Sequence, residues 1–102
     1  MTIHKTFNFE VVLEDEPGIY NWADAQAVCS LRGNGWRLPT REEQSLMQEH
    51  KEGLGLKDDD YWSSSEYNSN NAWSRNFYYG SQYGSAKFYS RRVRAVRTVE
   101  EE

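Results

Sequence analysis

Gly35-Trp36-Arg37-Leu38-Pro39-Thr40-Arg41-Glu42-Glu43 is the stretch on which the fold turns. Thr40 and Glu43 stand in the capping-box relation. The hydroxyl at the N-cap takes the amide proton three residues on, and the carboxylate there reaches back to the N-cap amide. Coming directly after Pro39, this pattern announces a helix. Leu46, Met47, His50 and Leu54 form its apolar stripe, and Gly53 and Gly55 end it. His50, lying on that stripe, reads as a packed structural histidine. Lys57-Asp58-Asp59-Asp60 then reads as a solvated linker, because its aspartates lack the spaced ligands and glycine of a calcium loop.

Upstream, Phe7-Asn8-Phe9-Glu10-Val11-Val12-Leu13-Glu14 alternates strictly, with Phe7, Phe9, Val11 and Leu13 on one side. That is the period of a half-buried strand. Asp15-Glu16-Pro17-Gly18 supplies a turn. A first helix starts at Asn21, a good N-cap, with Asp24 where the helix dipole favours an acid. Trp22, Ala25, Val28 and Cys29 share its face, and Gly33-Asn34-Gly35 stops it. Cys29 reads as a small hydrophobe of that face.

Downstream the composition changes at Tyr61. No Leu, Ile, Val or Met occurs between Leu56 and Val93, and Tyr, Ser, Asn and Gly make up 20 of the 31 residues in 61–91. Trp62, Trp73, Phe77 and Phe88 run through the segment, so it reads as folded and not as low-complexity chain. Trp73, Arg75, Phe77 and Tyr79 alternate with Ser74, Asn76 and Tyr78 as in a strand. Tyr79-Gly80-Ser81 is a turn, and Gln82 to Ser90 returns as a second strand or a long loop. Arg92-Val93-Arg94-Ala95-Val96-Arg97 closes the chain as a final strand. A strand and two helices followed by a strand-rich half make the class α+β.

The chain has 102 residues, enough for one domain spanning 1–102. Its mean hydropathy of -0.95 is polar, yet aromatics reach 15%, which excludes a disordered chain. No apolar run reaches the ~20 residues of a membrane span. The first residues carry no apolar core of a secretory signal, so the expectation is a protein that stays cytoplasmic, is virion-associated, or is displayed at a surface by another route. One cysteine excludes an internal disulfide, and Cys29, His4 and His50 do not make a zinc site. No cofactor or metal is expected. The net charge of -4 hides an asymmetry: residues 1–60 balance at -6 and residues 61–99 at +5. The basic half either steers anionic partners or pairs with nearby carboxylates.

Tyr, Ser, Gly and Asn with intermittent Arg are the chemistry of an antibody paratope. Tyr gives broad amphipathic contact with two torsions to freeze, and the small polar residues give adaptable hydrogen bonds. Trp62, Trp73 and Phe77 are assigned to the core. The candidate ligand-binding residues are Ser74, Arg75, Asn76, Tyr78, Tyr79, Ser81, Tyr83, Ser85, Phe88, Tyr89, Ser90 and Arg91.

Gly35 to Thr40, then Tyr61-Trp62-Ser63-Ser64-Ser65-Glu66, then Val93-Arg94-Ala95-Val96-Arg97 closely resemble the Lcl C-terminal domain family, related to C-type-lectin-like and formylglycine-generating-enzyme-like folds. The resemblance implies two helices packed around an antiparallel sheet, adjacent first and last strands, and long irregular loops carrying ligand contacts. It implies scaffold roles for Trp36, Arg37, Trp62 and Arg94. The Glu-Pro-Asn, Gln-Pro-Asp and Trp-Asn-Asp motifs of calcium-dependent sugar lectins do not occur here. Neither do the reactive cysteines of formylglycine-generating enzymes, and no other catalytic set stands out, so the reading is not an enzyme.

The 61–91 segment also resembles the variable region of proteins diversified by retroelements on a lectin-like scaffold. Ser74, Asn76, Tyr78, Tyr79, Ser81, Tyr83, Gly84, Ser85, Phe88, Tyr89, Ser90 and Arg91 are all reachable from Asn codons by adenine substitution. The expected function is recognition of a protein or glycan receptor. The alternative is a constant adhesin-type domain whose Arg75, Lys87, Arg91 and Arg92 pair with the sulfates of an anionic polysaccharide. Against nucleic acid stand the acidic balance and the absence of an RNA-binding motif.

Overall fold

The computed structural model describes residues 3–5 and 8–99, with side chains from Asn8 to Val99. Two antiparallel three-stranded sheets organise it. In the first, β1 (Ile3–Lys5) pairs with β2 (Phe9–Val12), and β2 pairs on its other edge with β6 (Val96–Thr98). In the second, β3 (Asp60–Glu66), β4 (Asn71–Asn76) and β5 (Gln82–Ala86) follow in chain order. Between them in sequence lie α1 (Trp22–Ser30), α2 (Arg41–Glu49) and the single turn α3 (Lys51–Leu54).

The two helix starts form as the local chemistry requires. Asn21 accepts the Asp24 amide at 2.9 Å, and Thr40 and Glu43 complete a reciprocal box, with Thr40 N–H to Glu43 Oε1 at 2.9 Å and Glu43 N–H to Thr40 Oγ1 at 3.1 Å. After α1 the chain reverses through Gly33, Asn34 and Gly35, all at positive φ (73°, 56° and 83°), which side chains beyond Asn rarely tolerate.

The core divides into two clusters, and β2 separates them. Val12 packs with Ala25, Cys29, Trp36, Leu38, Trp62, Val93 and Ala95. Phe9 and Val11 pack with Met47, Leu54, Tyr61, Phe77 and Val96. The sequence expectation of a strand with one wet face is therefore corrected: all of Phe9–Val12 is buried. Glu10 tolerates this because its register partner Arg97 bonds it at 2.7 Å. Phe7 lies outside the described residues.

The second helix also departs from its predicted stripe. Met47 and Leu54 are buried, but Leu46 is exposed, and His50 is the exposed C-cap that separates α2 from α3. Gln44 takes the inward position instead, donating to the carbonyls of Tyr61 (3.3 Å) and Trp62 (3.1 Å). The closing strand is shorter than expected, covering Val96–Thr98. Residues 92–95 act as a seam between the sheets: Trp62 N–H donates to Arg92 O at 3.1 Å, and Val12 N–H to Ala95 O at 3.1 Å.

Arg94 lies in that seam, 2% exposed. Its guanidinium bonds Asp15 (2.8 Å from Nη2 and 2.9 Å from Nε), the Val12 and Leu54 carbonyls, and Gly55 O at 3.1 Å. Tyr61 adds its phenol to the same carboxylate at 2.8 Å. Arg37 grips Glu43 through two bonds of 2.7 and 2.8 Å, and Trp62 Nε1 donates to Tyr20 O at 2.7 Å. Trp36 is buried under the Arg97 guanidinium. The four residues expected to be scaffold thus bind the elements together.

Candidate functional site

Two turns each carry a pair of exposed aromatics. The first joins β4 to β5. Asn76 Oδ1 accepts the amides of Tyr78 (2.9 Å) and Tyr79 (3.0 Å), Gly80 N–H returns to Asn76 O at 2.8 Å, and Gly80 adopts φ +78°. Phe77 is turned inward, edge-on to Tyr61 at 5.2 Å, so the next two side chains point outward. Tyr78 is 60% and Tyr79 79% exposed, with their rings in an edge contact at 4.7 Å. The second turn follows β5. Tyr89 N–H bonds Ala86 O at 2.9 Å, and Phe88 (77% exposed) and Tyr89 (48%) form another edge pair at 4.9 Å.

Asp60 lies between these two turns. Its carboxylate accepts from the Tyr83 phenol and from Asn76 Nδ2 at 3.0 Å, and it faces Arg91 Nε at 3.7 Å. Arg91 stands over the Tyr89 ring at 5.1 Å. Asn76 on one turn and Arg91 beside the other are thus joined through one carboxylate. Burial, and then the bond to Asp60, push the Tyr83 phenol up to about 12, so it remains a donor at neutral pH. The expectation of a solvated linker at Lys57–Asp60 is corrected here. Asp60 organises the surface, and Asp59 bonds Arg92 at 2.8 Å. Burial opposes ionisation of Asp59, but the Asp60 amide and Arg92 outweigh it and hold the carboxyl below its usual range.

Of the predicted contact residues, Tyr78, Tyr79, Ser81, Tyr83, Phe88, Tyr89 and Ser90 are exposed, and Asn76 and Arg91 are half-buried. Three are corrected to scaffold. Ser74 and Ser85 are buried and bond each other at 2.8 Å, because on β4 and β5 they face inward. Arg75 is 6% exposed, donating to Gly80 O at 2.9 Å and Ser45 Oγ at 2.8 Å. Trp73, expected in the core, is half-buried: the Arg41 guanidinium covers its face at 3.6 Å and Tyr67 meets its edge at 4.9 Å. Tyr67, 55% exposed, was missed, although Tyr67-Asn68-Ser69-Asn70-Asn71 shares the composition that marked the later residues.

The four cations suited to sulfate are already occupied. Arg75 is buried, Lys87 bonds Glu66 at 2.8 Å, Arg91 faces Asp60, and Arg92 holds Asp59. Cys29 is buried, and burial, with Glu16 adding to it, pushes its thiol up to about 12. Among the described residues no cluster of three His, Cys, Asp or Glu could hold a metal ion, and no helix is long and apolar enough to cross a membrane. Two clefts, of about 470 and 400 Å³, lie along residues 48–53 and beside Leu13–Gly18, and neither is lined by an exposed tyrosine of the two turns. What the turns present is an open aromatic surface around a polar centre.

Residues 5–97 match the family described as the Lcl C-terminal domain. No curated protein matches the sequence closely enough to serve as a relative. Among solved structures, botrocetin superposes with a TM-score of 0.71 at 11% identity, over 95% of this chain and 96% of that one. A chain from the complex of a mutant von Willebrand factor A1 domain with botrocetin gives 0.69 at 10% identity, again over 95% and 96%. A mutant of CEL-I gives 0.62 at 9% identity, over 96% and 95%. At such identities the likeness shows the fold, which is C-type-lectin-like.

Proposed function

Since the chain belongs to the Lcl C-terminal domain family, we propose that it is a non-enzymatic recognition module gripping a protein or glycan receptor through Tyr78, Tyr79, Tyr83, Phe88 and Tyr89. The observation that carries this reading is the arrangement of the two exposed aromatic pairs, each on a hydrogen-bonded turn and joined through Asp60. Amphipathic rings already held in place lose little entropy on binding. Ser81 and Ser90 supply hydrogen bonds between them. Botrocetin, of the same fold, occurs in complex with the von Willebrand factor A1 domain, which makes a protein ligand a natural choice for such a surface. The occupied state of Arg75, Lys87, Arg91 and Arg92 argues against the polysaccharide reading.

The same surface suits diversification by a retroelement. Tyr78, Tyr79, Ser81, Tyr83, Gly84, Phe88, Tyr89 and Ser90 are both exposed and reachable from Asn codons, while Phe77, directly before them, is buried. Ser74 and Ser85 would vary less, because their inward hydroxyls pair with each other. Sequencing this gene across a population tests it. Variation at the exposed codons against constancy at Phe77 and Val93 to Arg97 is the expected result, and uniform constancy would remove the diversification. For recognition itself, arrays of cell-surface proteins and glycans probed with the wild type and with a Tyr78→Ala, Tyr89→Ala variant decide. A ligand retained by the double variant would place recognition elsewhere.

A further inference from the structure

On the face of the second sheet that meets α2, Trp73 and Arg75 of β4 lie beside Gln82 and Gly84 of β5. Arg41, at the start of α2, stacks on Trp73 at 3.6 Å and donates from Nε to Gln82 Oε1 at 3.1 Å. Neither of its terminal nitrogens has a partner among the described residues. Arg41, Lys57 and Arg75 are the described Lys and Arg side chains without a carboxylate at ion-pair distance. Arg75 is buried, and Lys57 lines the cleft beside Asp15 and Glu16. Arg41 is therefore the uncommitted cation of this face.

A guanidinium stacked on an indole keeps its in-plane edge free, and that edge matches a carboxylate through two parallel bonds. The platform is built around it. Tyr67 is held edge-on to Trp73, and its ring occupies space beside Gly84 that a Cβ there would enter at 3.0 Å. The amide of Tyr67 bonds Asn71 O at 3.0 Å, fixing the turn that carries it.

We propose that Arg41 anchors a single carboxylate on an acidic side chain of a protein partner, with Tyr67 and Gln82 flanking it. A repeating polyanion needs several free cations, whereas among the described residues of this face one free guanidinium stands on a molecule of net charge -4. One guanidinium beside an exposed tyrosine fits one carboxylate next to an apolar or aromatic neighbour. This rests on the reading of the domain as a recognition module and adds a second contact point, centred on Arg41 and separate from the two aromatic turns.

The test is an NMR titration with the N-acetylated, C-amidated dipeptide tyrosyl-glutamate and its near-isosteric tyrosyl-glutamine counterpart, whose carboxamide lacks the charge and one acceptor oxygen. Saturable shifts of the Arg41 Nε–H and of the Tyr67 and Gln82 amides are expected with the glutamate form. Binding should be about tenfold weaker with the glutamine form, the scale of one charged hydrogen bond. Arg41→Gln should abolish the response and Lys57→Gln leave it intact, both with unchanged amide dispersion. Equal response to the two dipeptides, no response up to tens of millimolar, or shifts that survive Arg41→Gln would overturn the proposal. So would a sulfated disaccharide moving these resonances when the glutamate form does not. The same titration on the Tyr78→Ala, Tyr89→Ala variant should be unaltered, so failure at Arg41 is separable from failure of the aromatic surface.

Discussion

The phenol of Tyr83 donates to the carboxylate of Asp60, crossing β4 diagonally to tie β5 to the first residue of β3. A residue from the candidate contact set is thus held by one from a run of aspartates that reads, in sequence, as solvated chain.

That bond has an alkaline signature. Burial and Asp60 raise the Tyr83 phenol to about 12, above the ~10 of an unfolded tyrosine. The stabilisation is complete below the unfolded value and is lost as pH rises from ~10 through the folded one. Spectrophotometric titration of the wild type should show a tyrosine ionising late, near 12, and Asp60→Asn should bring that step down without removing the part due to burial. An unchanged titration would break the assignment.

At the acid end the relevant pair is Glu43 and Arg37. Burial alone would raise the Glu43 carboxyl, but Arg37 and the Thr40 amide outweigh it and hold it below its ordinary range. The stability this brings is present above the unfolded value of ~4.3 and disappears as pH falls through the lower folded value. Melting curves from pH 7 downward should decline through that window, and Glu43→Gln should flatten the decline while costing about 1 kcal/mol at pH 7, since both side chains are partly wet.

Asp15→Ala should be far more damaging. It leaves the Arg94 guanidinium, 2% exposed, facing carbonyl oxygens with no countercharge. Loss of one partner of a buried pair costs about 3–5 kcal/mol, measurable by urea denaturation, and Arg94→Lys should not restore the planar set of bonds.

The aromatic surface separates from the core by a contrast of neighbours. Tyr78→Ala and Tyr79→Ala should change stability by no more than ~0.5 kcal/mol, because both rings are mostly in water. Phe77→Ala, one residue earlier, empties a fully buried site and should cost about 3–5 kcal/mol. Equal losses would mean that the tyrosines are structural.

Local chemistry made the helices legible. Asn21 with Asp24 and Thr40 with Glu43 specify their starts without help from the rest of the chain. β3 was harder, because Asp60-Tyr61-Trp62-Ser63-Ser64-Ser65-Glu66 contains no β-branched residue, and its strand character comes from pairing with β4 and from burial of Tyr61 and Trp62. The tyrosines of the surface were identifiable by type and density. The inward serines were not: Ser74 and Ser85 lie within β4 and β5 with their hydroxyls buried, whereas Ser81 and Ser90 lie outside the strands, and residue type alone does not separate the two pairs. Arg75 and Asp60 escaped for a related reason, since a charge reads as wet until the partners that allow its burial are located.

The pairing of β2 with β6 joins Glu10 to Arg97 across 87 positions. Closing so long a loop carries an entropic cost that is met before the contacts reward it. On the ribosome this sheet can therefore close only after Arg97 has emerged. The Tyr- and Ser-rich turns are synthesised before that closure, inside the span it encloses. Substitutions on their exposed tips should then alter the unfolding rate or nothing at all, while changes at Glu10 or Arg97 slow folding itself.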